Sequence, residues 1–181
     1  MRKKNIFVYL IIAVIFVGAL YFGLRKKTDE FLVRNDLDSL TLEEMVAKHE
    51  DLIGEKGFVA SVLGDRITFK DSQEEYDIML PEDKYYLSVA PYIQNTHPCF
   101  NHNLATCQGE LTNSKVRVTV KRGSGIIYDE FVETYSNGFF GLWLPKDESL
   151  SIFVEKDGLS AIAQVETTTE SPTCLTTMRL Q

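Results

Sequence analysis

The sequence predicts an α+β chain, with a small N-terminal helix-plus-strands region followed by an antiparallel β-sandwich. Three observations carry this. Over residues 41–53, Leu42, Met45, Val46, His49, Leu52 and Ile53 recur at helical spacing and mark one face of a helix. From Gly109 onward, short apolar runs are separated by turn residues about every 8–12 positions, the pattern of a sandwich. The 181 residues are 44% apolar and 25% charged, a globular composition with room for one ordinary domain or two small ones.

The N-terminus lies outside this fold. Arg2-Lys3-Lys4 precedes an uncharged run over 6–24, and Arg25-Lys26-Lys27 follows it. A run of that length can span a bilayer core of about 30 Å. Residues 1–27 therefore read as a membrane anchor, with a cleaved signal segment ending near Val17-Gly18-Ala19 as the alternative. Either way, residues 28–181 lie on the extracytoplasmic side. Uncleaved, they are tethered to the cell membrane; cleaved, they are secreted or periplasmic.

Residues 28–37 are a polar tether. Thr41-Leu42-Glu43-Glu44 fits a capping box and Gly54 ends the helix. His49 sits on the apolar face, where a lone histidine is a packing residue more often than a ligand. Residues 58–63 and 66–70 flank Gly64-Asp65 and read as a hairpin. Further strands are expected over 74–80 and 85–93, with Pro81-Glu82-Asp83 turning between them. A unit over 28–93 is too small to be secure alone, so it packs on the rest of the chain or on a second copy.

The β region, 94–181, reads as successive strands. Val116, Val118 and Val120 alternate with polar residues. Gly123-Ser124-Gly125 is a turn, and Ser136-Asn137-Gly138 is read as a hairpin turn. Residues 139–144 are apolar on both faces, a central strand. Asp157-Gly158 joins strands over 150–154 and 161–165, and a last strand is expected over 173–180. The order of these features is similar to transthyretin- or immunoglobulin-like modules.

Charge narrows the function. Six of the 19 Lys/Arg lie in residues 1–27, so residues 28–181 keep 13 against 26 Asp/Glu. Such a surface repels nucleic acid and draws cations. There is no nucleophile elbow, phosphate-binding glycine loop, Cys-x-x-Cys or His-Glu-x-x-His, so an enzyme acting on an organic substrate finds no support and no catalytic residue is assigned.

The chemistry concentrates in residues 96–111, which hold Cys99, Cys107, His97 and His102; Cys174 is the third cysteine. One reading is a disulfide from Cys99 or Cys107 to Cys174, worth about 2–4 kcal/mol, that staples an interaction module and leaves one thiol over. The other is a metal site. Three thiolates, or two with an imidazole, suit Cu(I), whereas zinc wants a fourth ligand, for which His97 and His102 are candidates. Met178 shares the nominal strand face of Cys174 and reads as core. Two thiolates closing to a disulfide release two electrons, enough to take Cu(II) to Cu(I).

His97-Pro98-Cys99, Cys107 with Gly109-Glu110 beyond it, and a single cysteine in the final strand together resemble the CueP family of bacterial envelope copper-binding proteins. The resemblance covers about residues 38–181. It implies a homodimer held through the N-terminal region, a β domain carrying the metal site, and Cys99, Cys107 and Cys174 as copper ligands, with His97 and His102 secondary. It also implies reduction of Cu(II) to Cu(I) and a role in copper resistance or delivery, with the recipient of the metal left open.

Overall fold

The middle strand of one three-stranded sheet is apolar on one side and polar on the other. Strand β4 (Lys84–Val89) is buried from Tyr85 to Val89. Its odd-numbered residues, Tyr85, Leu87 and Val89, enter the main apolar core, while Tyr86 and Ser88 face the opposite way toward buried polar groups. The period-2 alternation of a strand makes this division.

The computed structural model describes Tyr9, residues 12–18, Tyr21, residues 30–50 and residues 58–181. It separates into two compact units, Met1–Leu42 and Glu43–Gln181. In the first, Tyr9, Tyr21 and residues 12–18 and 30–34 are helical. Among the described residues no helix is long and apolar enough to cross a membrane, and the anchor expected over 6–24 falls largely outside them. The helix end expected at Gly54, with Leu52 and Ile53, lies outside them too.

Helix α1 (Leu42–Glu50) starts directly after Thr41, with Glu43 and Glu44 in its first turn. It buries Met45, Val46, His49 and Glu50. His49 is a packing residue, its Nδ1–H donating to the Met45 carbonyl at 2.6 Å and its ring stacked on Phe58 at 4.8 Å.

Strands β1 (Val59–Val62), β2 (Arg66–Lys70) and β3 (Glu75–Met79) form an antiparallel sheet in that order, including the hairpin read at Gly64-Asp65. A second sheet runs β10 (Cys174–Leu175), β4, β7 (Phe140–Pro145); a third runs β6 (Gly125–Glu133), β5 (Lys115–Arg122), β8 (Ser149–Lys156), β9 (Leu159–Glu166). Alternate residues of β4 and β7 meet Val116, Val118 and Val120 of β5 and Leu150, Ile152 and Val154 of β8 in one core. The class is α+β, as expected.

Three local expectations are corrected. Strand β4 lies between β10 and β7, so a division at 93/94 cuts through a sheet, and residues 43–181 are one unit. Ser136-Asn137-Gly138 does not close a hairpin: β6 pairs with β5 and β7 with β4, so the segment crosses between sheets. The strand expected over 173–180 is two residues long and parallel to β4. Beyond Leu175 the ladder breaks and the alternation changes phase. Cys174 packs with Ala90 and Phe139, whereas Met178 enters the main core.

Gly138 has φ +81°, and a Cβ there would meet the backbone of Gly109. The two glycines let the 94–109 loop lie against the sheet crossing, where Gly109 N–H donates to Asn137 O at 2.6 Å. Gly138→Ala is therefore expected to cost about 1–3 kcal/mol, read as a lower urea midpoint at unchanged slope.

Candidate metal centre

The loop carrying Cys99, His102 and Cys107 is pinned at its ends and its middle. At its ends, Glu110 Oε2 accepts the N–H groups of Ile93, Gln94 and Asn95 at 3.3, 2.9 and 2.6 Å, and Thr96 Oγ1 donates to Thr176 O at 2.6 Å. Those amides hold the Glu110 carboxyl below the usual range, the Asn95 N–H contributing most. In the middle, Val62 N–H donates to His102 O at 2.7 Å and Leu104 N–H to Ala60 O at 2.8 Å. On the other side His102 N–H donates to Thr173 Oγ1 at 3.0 Å, and that hydroxyl donates to Val62 O at 2.7 Å. The backbone of His102 is thus held between β1 and the residue preceding β10.

Asn103 shapes the return. Its Oδ1 accepts from the N–H groups of Ala105 and Thr106, both at 3.1 Å, and its carbonyl accepts from Cys107 N–H at 3.0 Å. This Asx turn brings Cys107 back so that Asn103 N–H points at its sulfur, 3.4 Å away. Cys174 arrives from β10, its N–H bonded to Phe100 O at 3.1 Å.

Four donor atoms result, the Sγ of Cys99, Cys107 and Cys174 and a ring nitrogen of His102, all within 4.8 Å of one another. The Cys99 and Cys107 sulfurs are 3.8 Å apart, and Cys174 Sγ is 3.6 Å from His102 Nδ1. Two thiolates each about 2.3 Å from one tetrahedral ion stand about 3.8 Å apart, so the spacing suits a shared soft metal. All three cysteines are free thiols, so the staple from Cys99 or Cys107 to Cys174 is not formed. His102 joins the cluster, but His97 stays outside it, its ring edge-on to Phe139 with the centroids 6.4 Å apart.

The residue that sequence reasoning missed is Glu50. It is fully buried at the end of α1 and accepts four hydrogen bonds. Oε1 takes Tyr86 OH at 2.8 Å and Ser88 Oγ at 2.7 Å; Oε2 takes His102 Nε2 at 3.0 Å and Asn137 Nδ2 at 2.6 Å. One signal was present in the sequence: an acid in a helix's last turn opposes the helix dipole, so its reason lies elsewhere.

The groups set one another's charge. Burial opposes an ionised Glu50, but the hydrogen bond and charge of His102, with Ser88 and Asn137, outweigh it and hold the carboxyl below its usual range. Burial likewise opposes a charged His102, and bonds to Cys107, Cys99 and Glu50 push the imidazole well above its ordinary value. Cys107 is lowered to about 3, first by the Cys174 thiol and then, against burial, by His102 and Asn103 N–H. Cys174 is raised, by sharing its proton with Cys107 and by burial. In the metal-free centre these shifts favour a Cys107 thiolate beside a charged His102 imidazole.

Two outcomes follow. In the metal-free reduced protein at about pH 6, a thiolate-selective alkylating agent should modify Cys107 well before Cys174, as mapped by peptide mass spectrometry. Stability should fall at both ends of the pH range, because the depressed Glu50 contribution is complete above the ordinary carboxylate range and is lost as pH falls through its folded-state value. The raised His102 contribution is complete below the ordinary imidazole range and is lost as pH rises through its folded-state value. Urea midpoints across pH check this, and Glu50→Gln should flatten the acid limb.

Comparison with known proteins gives the family. A family model described as "Periplasmic copper-binding protein CueP" matches residues 42–179. The solved structure titled "Crystal Structure of S.CueP" superimposes with a TM-score of 0.80 at 34% identity, covering 85% of this chain and 97% of that one. No curated protein matches. The match spans most of the chain, including all four donors and Glu50, and the chain belongs to the CueP family of periplasmic copper-binding proteins.

Proposed function

We propose that this chain is an extracytoplasmic copper-binding protein that sequesters Cu(I) on Cys99, Cys107, Cys174 and His102 and contributes to copper resistance or delivery. The observation that carries the reading is the convergence of three sulfurs and an imidazole nitrogen within 4.8 Å, a soft donor set suited to Cu(I). Family membership supports copper as the cargo and the extracytoplasmic side as the place. The apolar run over 6–24 supports a tether there, and the family resemblance supports a homodimer through residues 28–93.

The same thiols supply a reduction. Two Cu(II) ions each take one electron as the thiolates of Cys99 and Cys107 join in a disulfide, giving two Cu(I). Their 3.8 Å separation supports that pairing. Cys174 and His102 then remain as donors to the product. Zinc is the second reading, favoured by the fourth donor at His102.

A Cu(I) titration of the reduced protein against a chromogenic chelator tests the proposal. One equivalent should bind, zinc should not displace it, and Cys99→Ser, Cys107→Ser and Cys174→Ser should each weaken binding by at least about tenfold. Failure to compete with the chelator, or a Cys174→Ser variant altered only in stability, would sink the copper reading. For the reduction, two Cu(I) should appear per Cys99–Cys107 disulfide formed, counted with a Cu(I) indicator and by thiol mass spectrometry.

A further inference from the structure

We infer that Glu50 is a positioning residue of the metal centre: from the last turn of α1 it holds His102 with Nε2–H toward itself and Nδ1 toward the three sulfurs, which makes α1 part of the site. The inference rests on the copper reading for its cargo and on geometry for the rest.

The hydrogen-bond inventory decides which ring nitrogen faces the sulfurs. Tyr86, Ser88 and Asn137 all donate to Glu50, so the carboxyl group is the acceptor throughout this cluster. Glu50 Oε2 has two partners, His102 Nε2 at 3.0 Å and Asn137 Nδ2 at 2.6 Å. The Asn137 amide is oriented independently, because its Oδ1 accepts Phe139 N–H at 2.9 Å. Glu50 Oε1 is occupied by the hydroxyls of Tyr86 and Ser88. The contact to His102 therefore requires a proton on Nε2, which leaves Nδ1 as the nitrogen available to a metal beside Cys174 Sγ.

Packing closes off the alternatives. The His102 ring is fully buried, tilted against Phe139 at 4.5 Å, and its backbone is held by Val62 and Thr173. Turning the ring over would cost Glu50 Oε2 one of its two donors, leaving Asn137 alone there, and aim Nε2 at the wrong side. A carboxylate on the far nitrogen of a metal-binding histidine fixes its orientation and raises its basicity as a ligand. Helix α1 gains nothing from an acid in its last turn, so the requirement for Glu50 comes from the site.

The experiment compares wild type, Glu50→Leu, Glu50→Gln and Glu50→Asp, with Val118→Ala in the remote β core as a control for lost stability alone. Two readouts are used, Cu(I) affinity by chelator competition and the His102 ring signals by ¹⁵N NMR in the metal-free reduced protein. Wild type should show a slowly exchanging Nε2–H, absent in Glu50→Leu. Cu(I) affinity should fall about 10–100-fold in Glu50→Leu. Glu50→Gln should restore most of it, because the amide oxygen still accepts Nε2–H while its NH₂ group meets hydroxyls able to reverse their roles. Val118→Ala should lower stability at unchanged affinity.

Wild-type affinity in Glu50→Leu, or an unchanged ring N–H, would overturn the inference. If Glu50→Leu does not fold, Glu50→Asp takes its place, since its shorter side chain draws the carboxylate away from Nε2; unchanged affinity and ring signal there would overturn it equally. If wild type takes up no Cu(I), the copper reading fails, and the ring N–H comparison by itself settles whether Glu50 sets the imidazole.

Discussion

The buried contact between Glu50 and His102 is the constraint on which the rest of the centre depends. Removing a carboxylate from water costs several kcal/mol even after the protein relaxes around it. Both side chains here are fully buried. The cost is tolerable only if every lone pair of the carboxylate finds a donor. The four donors come from three places: β4 through Tyr86 and Ser88, the loop through His102, and the sheet crossing through Asn137. None can shift without leaving a buried polar group unpaired, so one acid ties a helix, a sheet, a loop and a crossing to a common geometry.

Strand β4 is the element that lets this network exist beside an apolar core. Its register with β7 sets Tyr86 opposite Trp143 and Ser88 opposite Gly141. Gly141 leaves the space that Tyr86 occupies, since a Cβ there would run into the phenol. On the other face the same two strands supply Leu87, Val89, Phe140 and Leu142 to the core. A slip of one residue would exchange the faces, sending apolar groups to Glu50 and hydroxyls into the core. Burying the core and assembling the centre therefore demand the same register.

What could be read from the sequence was local. The turns at Gly64-Asp65, at Gly123-Ser124-Gly125 and at Asp157-Gly158 each join strands that pair, because a short turn leaves the chain no other neighbour. Ser136-Asn137-Gly138 carries the same signal and joins different sheets, because local chemistry says nothing of which distant strand competes for pairing. The β4–β7 and β4–β10 ladders connect segments far apart in the chain and had no local signature. The three cysteines stood out by type and spacing. His97 and His102 were equivalent on those terms, and what separates them is the backbone clamp from Val62 and Thr173. Glu50 was hidden for a related reason: it lies on the buried face of its helix, where an apolar residue is the ordinary occupant, and its partners come from three other segments.

The centre is graded from outside to inside, and the gradient matches the order of the proposed chemistry. Cys99 and Cys107 are half-buried, while Cys174 and His102 are buried. In the proposed function an arriving ion would meet the outer, half-buried pair first. That pair includes Cys107, whose thiol is lowered while that of the inner Cys174 is raised. The inner pair is bonded into the framework: Cys174 by the ladder to Ser88, and His102 by Glu50 and by the bonds to Val62 and Thr173. An outer pair that closes to a disulfide must move its sulfurs closer than 3.8 Å. The inner donors need not move when it does. With Cys99 and Cys107 at the outer side and His102 and Cys174 bonded into β1, β4 and α1, the proposed oxidation would change one half of the site while the other half keeps its geometry.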